Sequence, residues 1–336
     1  MKILFIGGTG LISSACSELA LARGHELFLL NRGRSTKYPI PERAVLLKAD
    51  VRGDPAGAAC LLKGHTFDAV VDWVAFTPDD IDTDIGLFSG KTRQFVFISS
   101  SSAYQKPSTS YLITESTPLA NPFWQYSRDK IACEERLNDE YRRAGFPITI
   151  VRPSLTYGPS QLPLSVGNWQ HPYTIVDRML RGEKTIVPGD GTSLWTLTWN
   201  GDFAKGFIGL LGHQQAIGHA FHITSDEVLT WNQIYEELAA ALGLAPRLVH
   251  IASDLIAAYD PNMLGGLIGD KANSAVFDNT KIKRFVPDYV ATTPWSVGVR
   301  RVLAWYDADP SRRTIDADAN CKWDRMIAAY ERAYPE

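Results

Sequence analysis

At 336 residues, with 45% hydrophobic and 21% charged side chains, the chain has enough apolar material for a large domain and a smaller one appended to it. Its formal net charge of -3 gives no electrostatic reason to expect nucleic acid or an anionic membrane surface as a partner. No apolar stretch is long enough to span a bilayer, and MKILFIGGTG runs from a short strand into a glycine turn without a signal-peptide layout, so a soluble cytoplasmic protein is expected.

In chain order, KILFIG, ELFLLN, AVLLKAD, DAVVDWV, QFVFISS and ITIVRPS are continuous apolar runs of strand length. Between them, SSACSELALARG and the segment from Ser127 to Ala144 read as helices. That alternation predicts an α/β fold: a doubly wound parallel sheet covered on both faces. We expect the dinucleotide-binding part over residues 1–157, with segments near 200–230 returning to it, and a mainly substrate-binding part over 158–336. In that second part a polar, proline-bearing loop runs from Gly158 to Pro172. A helix near VDRMLRG, a turn at VPGDGTS, and helices at TWNQIYEELAAALG and WSVGVRRVLAWYDA follow.

The run Gly7-Gly8-Thr9-Gly10-Leu11-Ile12-Ser13 sits between the first strand and the first helix. Glycines there permit a tight turn and let the backbone approach a pyrophosphate on the helix N-terminus. Ser13 takes the place of the usual third glycine and still allows close packing. The second strand normally ends in a carboxylate that binds the ribose 2′-hydroxyl of NAD, and here it reads Leu30-Asn31-Arg32-Gly33-Arg34. A carboxylate would repel a 2′-phosphate, whereas arginine binds one bidentately, which favours NADP(H) and leaves NAD(H) open. Asp50, after AVLLKA, is placed either to accept from an adenine amino group or to serve as a strand-end turn residue.

Tyr126 and Lys130 lie one helical turn apart in YSRDK, downstream of the serine run that ends FVFISSSSAY. A neutral phenol is a poor base near pH 7, and an ammonium close by favours the phenolate. Residues i and i+4 share a helix face, so both side chains can meet one ligand.

Together, GGTGLIS, the serine strand ending in AY, YSRDK, RPSLTYGP and the PGDGTS…DFAKG segment resemble the extended short-chain dehydrogenase/reductase family, in its NAD-dependent epimerase/dehydratase branch. The resemblance implies a Rossmann-type sheet with a smaller α/β C-terminal substrate domain. It implies Tyr126 as catalytic acid/base, with Lys130 lowering its pKa and holding the nicotinamide ribose. Ser100 matches the Ser/Thr that hydrogen-bonds the substrate oxygen, with Ser99, Ser101 and Ser102 as alternatives. Pro153 and Ser154 would approach the nicotinamide end. A homodimer is implied through the helix bearing Tyr126, with Ile131, Leu137 and Tyr141 as either contact or core.

Departures from the pattern narrow the chemistry. Sugar dehydratases of this kind carry an Asp-Glu pair where this chain has Ser101 and Ser102, so dehydration is disfavoured. An arginine on the substrate diphosphate is usual where Trp195 stands. Losing it removes a charged, bidentate contact of about 1.5–3 kcal/mol. Trp195 offers either stacking on the substrate or plain core packing. Trp169 and His171, in the loop with Gln161, Asn168 and Gln170, are expected at the substrate mouth. Cys16, Cys60, Cys133 and Cys321 are scattered and the seven histidines dispersed, so no metal is expected. The expected partner is a small molecule. The expected activity is hydride transfer on a secondary alcohol or ketone of a sugar-like substrate, possibly a nucleotide sugar. The alternatives are an NADPH-dependent ketone reductase of a non-nucleotide small molecule, and a non-catalytic dinucleotide sensor.

Overall fold

The computed structural model describes residues 1–35 and 37–333. The apolar runs are short, and both faces of each are apolar, which suits strands covered on two sides. The six pair in one sheet, as β1 (Lys2–Ile6), β2 (Glu26–Asn31), β3 (Val45–Lys48), β4 (Ala69–Asp72), β5 (Phe95–Ile98) and β6 (Ile148–Pro153), joined by a seventh strand that was not singled out, β7 (Ala220–Ile223). Their order across the sheet is 7-6-5-4-1-2-3, and every neighbouring pair is parallel. The order reverses at β1, whose neighbours are β2 and β4. Ile6 stands opposite both Leu30 and Asp72, so the carboxyl ends of these strands open on one crevice. The fold is the Rossmann-type α/β architecture expected from the sequence.

Strand residues alternate between two cores. Leu4, Ile6, Phe28, Val70 and Phe97 face α2 (Pro55–Leu61), α3 (Pro78–Phe88) and α4 (Gln125–Ala144). Ile3, Phe5, Leu29, Val71 and Val96 face α1 (Ser13–Ala22) and the helix Asn200–Leu210, which contributes Phe203 and Phe207. A third core, around Trp195, Trp231, Tyr235 and Trp295, lies beyond the sheet and draws mainly on residues after β6. At about 1.5–3 kcal/mol per fully buried large apolar side chain, these cores supply most of the force that holds the helices to the sheet.

The helix α4 positions the chemistry. Ser127, Lys130, Cys133, Glu134, Leu137 and Glu140 are its buried residues, a spacing of three and four that keeps one stripe inward. Gly145 caps it in the left-handed conformation at φ 69°. Leu137 therefore belongs to the core and offers nothing to a dimer contact, while Tyr141 is exposed. Among the described residues no helix is long and apolar enough to cross a membrane.

Candidate active site

Gly7 closes β1 at φ 86°, a conformation that excludes a Cβ on strain alone, and an added Cβ would stand 2.5 Å from Val74 Cγ1. Ser13, in the third-glycine position, stitches the turn: its hydroxyl donates to Gly7 O at 2.9 Å and accepts from Gly10 N at 2.8 Å. Asn31, at the end of β2, accepts from Gly7 N and Gly8 N at 3.1 and 3.2 Å and donates to Thr9 Oγ1 at 3.2 Å. Its side chain thus holds the turn in shape. Leu11 and Ile12 precede α1, whose first N–H groups are those a helix leaves without an internal partner.

A cavity of about 510 Å³ extends from this turn past Asn31, Arg32, Arg34 and Asp50. Arg32 and Arg34 are exposed, and among the described residues neither has an ion-pair partner. Asp50 accepts from Gly53 N at 3.2 Å, as a turn residue does, and keeps an edge on the cavity. Arg52 lines the same wall and was not singled out from sequence. It pairs with Asp72 and Asp84, and donates to Asp80 O at 2.9 Å. Asp72 in turn accepts from Val74 N and Ala75 N at 2.5 and 2.8 Å, fixing the chain after β4. Burial, with the neighbouring Asp72 charge, pushes the Asp84 carboxyl well above its ordinary range.

A second cavity, about 390 Å³, brings the remaining predicted residues together. Gly7, Gly10, Leu11 and Ile12 share it with Ser100, Tyr126, Lys130, Pro153 and Ser154. Lys130 is 2% exposed and donates to Ala75 O and Ile98 O at 2.7 and 2.8 Å. Its ammonium lies 5.8 Å from the Tyr126 ring centroid, and burial lowers its pKa to about 8. The Tyr126 phenol is raised above its ordinary value, first by burial and then by the Asp270 charge, against a hydrogen bond with Ser100 that opposes both. This differs from the lowering expected of the Lys130 charge, because the ammonium is turned to two carbonyls and the ring is desolvated.

Ser100 follows β5 by two residues. Its oxygen accepts from Ser102 N at 3.2 Å and lies 2.9 Å from Ser102 Oγ, which accepts from Ser127 Oγ at 2.7 Å. Ser102 is thus buried behind Ser100, whereas Ser101 faces a third cavity of about 210 Å³ beside Tyr126. The Ser99 hydroxyl is buried without a partner among the described residues, on the wall of the 390 Å³ cavity.

The substrate-side predictions divide. Trp169 lines the 390 and 210 Å³ cavities and a larger one of about 540 Å³. His171 bonds Thr314 Oγ1 at 2.9 Å and borders none of these three. Trp195 is 1% exposed and stacks on Trp231 at 5.5 Å between centroids. Of the two readings offered for Trp195, substrate stacking is corrected and core packing holds: at this position the indole is core. Sequence reasoning passed over Trp124, Asp270 and Lys271, which line the 210 Å³ cavity.

A family model described as the NAD dependent epimerase/dehydratase family matches residues 3–224. The chain belongs to this family. The 2′-dehydrokanamycin reductase of Streptomyces kanamyceticus is 27% identical over 250 residues, 72% of this chain and 67% of that protein. A chloroplast stem-loop binding protein of Arabidopsis thaliana is 25% identical over 262 residues, 74% of this chain and 65% of that protein, just under two thirds of its length. Among solved structures, a UDP-glucuronic acid 4-epimerase from Bacillus cereus, in complex with UDP-glucuronic acid and NAD, superposes at a TM-score of 0.72 with 19% identity. That likeness covers 92% of this chain and 99% of the other, and is one of fold. The family's dinucleotide fits the residues present. The glycine turn leaves no room for a Cβ at Gly7, the helix N-terminus faces the cavity, and the Ser99 hydroxyl is an orphan donor on its wall. Among the described residues no group of three His, Cys, Asp or Glu side chains is arranged to hold a metal ion.

Proposed function

We propose that the chain is an NAD(P)-dependent oxidoreductase or epimerase acting on a secondary alcohol or ketone of a sugar-like substrate, with Tyr126 as the acid/base. The observation that carries this reading is the single cavity shared by the glycine turn and by Ser100, Tyr126 and Lys130. The dinucleotide would be held by Gly7, Gly10, Leu11, Ile12, Lys130, Pro153 and Ser154, and when bound it supplies the hydride acceptor or donor. Tyr126 moves the proton at the substrate oxygen. Ser100 donates to that oxygen, since its own oxygen already accepts from Ser102. Lys130 donates to the ribose and holds positive charge beside the phenol.

Two features favour the reductase form with NADPH. Arg32 and Arg34 are exposed at the rim without ion-pair partners among the described residues, and the raised pKa of Tyr126 suits proton donation to a ketone. A relative named as a reductase is in keeping with this. The intact Tyr126–Lys130 pair argues against a purely non-catalytic sensor. A homodimer through α4 would have to use a mostly polar face, since Gln125, Arg128, Glu135, Asp139, Arg142 and Arg143 are exposed on it and Tyr141 is its one exposed large apolar residue.

The test is to denature the purified protein, identify any released dinucleotide, and compare Tyr126→Phe with the wild type. We expect an empty site that takes up NADPH, and a variant that binds it unchanged while turnover falls by about 10²–10⁴. Tightly held NAD would favour the epimerase form. Unchanged turnover in Tyr126→Phe would remove the acid/base assignment.

A further inference from the structure

Leu267–Lys271 forms a π-helical turn, closed by Ala272 N donating to Leu267 O at 2.8 Å. Such turns are rare and occur mostly where a functional group must be re-aimed. This one is pinned on both sides. Asn121 Nδ2 donates to Gly269 O at 2.7 Å and to Ser102 O at 2.8 Å, tying the turn to the serine segment. Trp231 Nε1 donates to Lys271 O at 2.9 Å. The turn therefore presents Asp270 and Lys271 rigidly, and both line the 210 Å³ cavity that holds Ser100 and Tyr126.

The side chains of Asp270 and Lys271 are 12% and 6% exposed and pair at 3.4 Å. A buried ion pair is favourable only when further hydrogen bonds satisfy its remaining donors and acceptors. Among the described residues this long contact is the pair's one side-chain hydrogen bond, with the ammonium also 6.0 Å from the Trp169 ring centroid, so most of its three donors and the carboxylate's lone pairs are unused. The wall beside the catalytic tyrosine thus carries a donor and an acceptor next to each other. Adjacent hydroxyls on a ring ask for that pattern.

The rest of the wall fits the same ligand. Trp124 and Trp169 border both this cavity and the 540 Å³ one, and indole faces suit the apolar face of a sugar ring. An added Cβ at Gly265 would collide with the Trp124 ring, so the glycine lets the indole lie close. A diphosphate finds no such provision. Among the described residues no arginine lines either cavity, and the other lysine, Lys322, is paired with Asp260 at 2.8 Å. Asp316 and Asp318 stand on the same rim and would repel phosphate.

We propose that Asp270 and Lys271 are the specificity pair of this site, reading adjacent hydroxyl or amino groups of an unphosphorylated sugar-type ring held against Trp124 and Trp169. The proposal rests on the functional reading above only for where the reacting carbon lies.

Binding to the full chain should be followed by tryptophan fluorescence and calorimetry, with methyl α-glucopyranoside, methyl α-glucosaminide, neamine, UDP-glucose and UDP as probes. We expect saturable binding of at least one unphosphorylated glycoside and none of UDP. Asp270→Asn, and the neutral pair Asp270→Asn with Lys271→Gln, should each weaken that glycoside about tenfold or more, the loss of a charged hydrogen bond. Dinucleotide affinity in both variants should stay within about twofold, which shows that the fold survives. The proposal is overturned if UDP binds saturably, if no glycoside binds, or if both variants keep wild-type glycoside affinity. Glycoside binding without dinucleotide-linked turnover would instead defeat the hydride-transfer reading and leave this inference standing.

Discussion

Arg32 directly follows β2, and the proposed preference for NADPH rests mainly on this position. Its guanidinium is exposed on the 510 Å³ cavity and has no ion pair among the described residues, so it is free to take a dianionic group at little desolvation cost. Arg34 stands two residues on, in the same wall. Arg32→Glu replaces a bidentate attraction with a repulsion. NADPH affinity should fall about 100-fold, while NADH affinity changes by no more than a few-fold. Fluorescence titration with both nucleotides measures this, and equal losses would show that Arg32 does not read the 2′-phosphate. The residue was legible because strand-end chemistry depends on local sequence. Trp195 was not, because whether an indole meets substrate or Trp231 depends on a helix 36 residues away.

At the scale of elements, β7 ties the edge of the sheet to the later part of the chain, and His222 does the tying. Its Nδ1 lies 3.0 Å from Tyr104 Oη and its Nε2 lies 2.8 Å from Asp278 O. Burial lowers its pKa, and Arg152 adds to this, whereas Glu115 at 3.8 Å and Asp278 oppose it. Since the folded value is below the unfolded one, the unfolded chain takes up the proton first as pH falls through about 6.5. The contribution of His222 is complete above that pH and is lost below it, at no more than about 1.4 kcal/mol per pH unit. His222→Gln keeps polar ends but cannot titrate, so its melting temperature should fall less between pH 7 and pH 5 than that of the wild type. Parallel slopes would exclude His222 as the acid-sensitive tie. The helix α4, with its buried stripe every three or four residues, was readable from sequence alone. The π-helical turn at Leu267–Lys271 was not, since nothing in local periodicity marks an i+5 hydrogen bond.

For the molecule as a whole, the parallel sheet was legible because strands buried on both faces must be uniformly apolar, and six such runs stood in plain alternation with helices. The cavities beside Tyr126 were not, because their walls come from segments as distant as Ser100, Ser154 and Lys271. Those segments are held together by the sheet, and a dinucleotide across its carboxyl edge would touch β1, β2, β5, β6 and α4 at once. A ligand that binds only the folded chain stabilises it by mass action, about 2.7 kcal/mol at a hundred times its Kd. With an unfolding entropy of about 2.1 cal/mol/K per residue, that corresponds to a rise of about 4 °C in melting temperature for a chain of this length. Differential scanning calorimetry with NADPH should show such a shift, and NADH at the same concentration a smaller one. A larger shift with NADH would reverse the cofactor preference argued from Arg32 and Arg34. Two separate transitions, only one of them moved by NADPH, would show that the sheet cores and the Trp231 core unfold independently and that the dinucleotide grips the sheet alone.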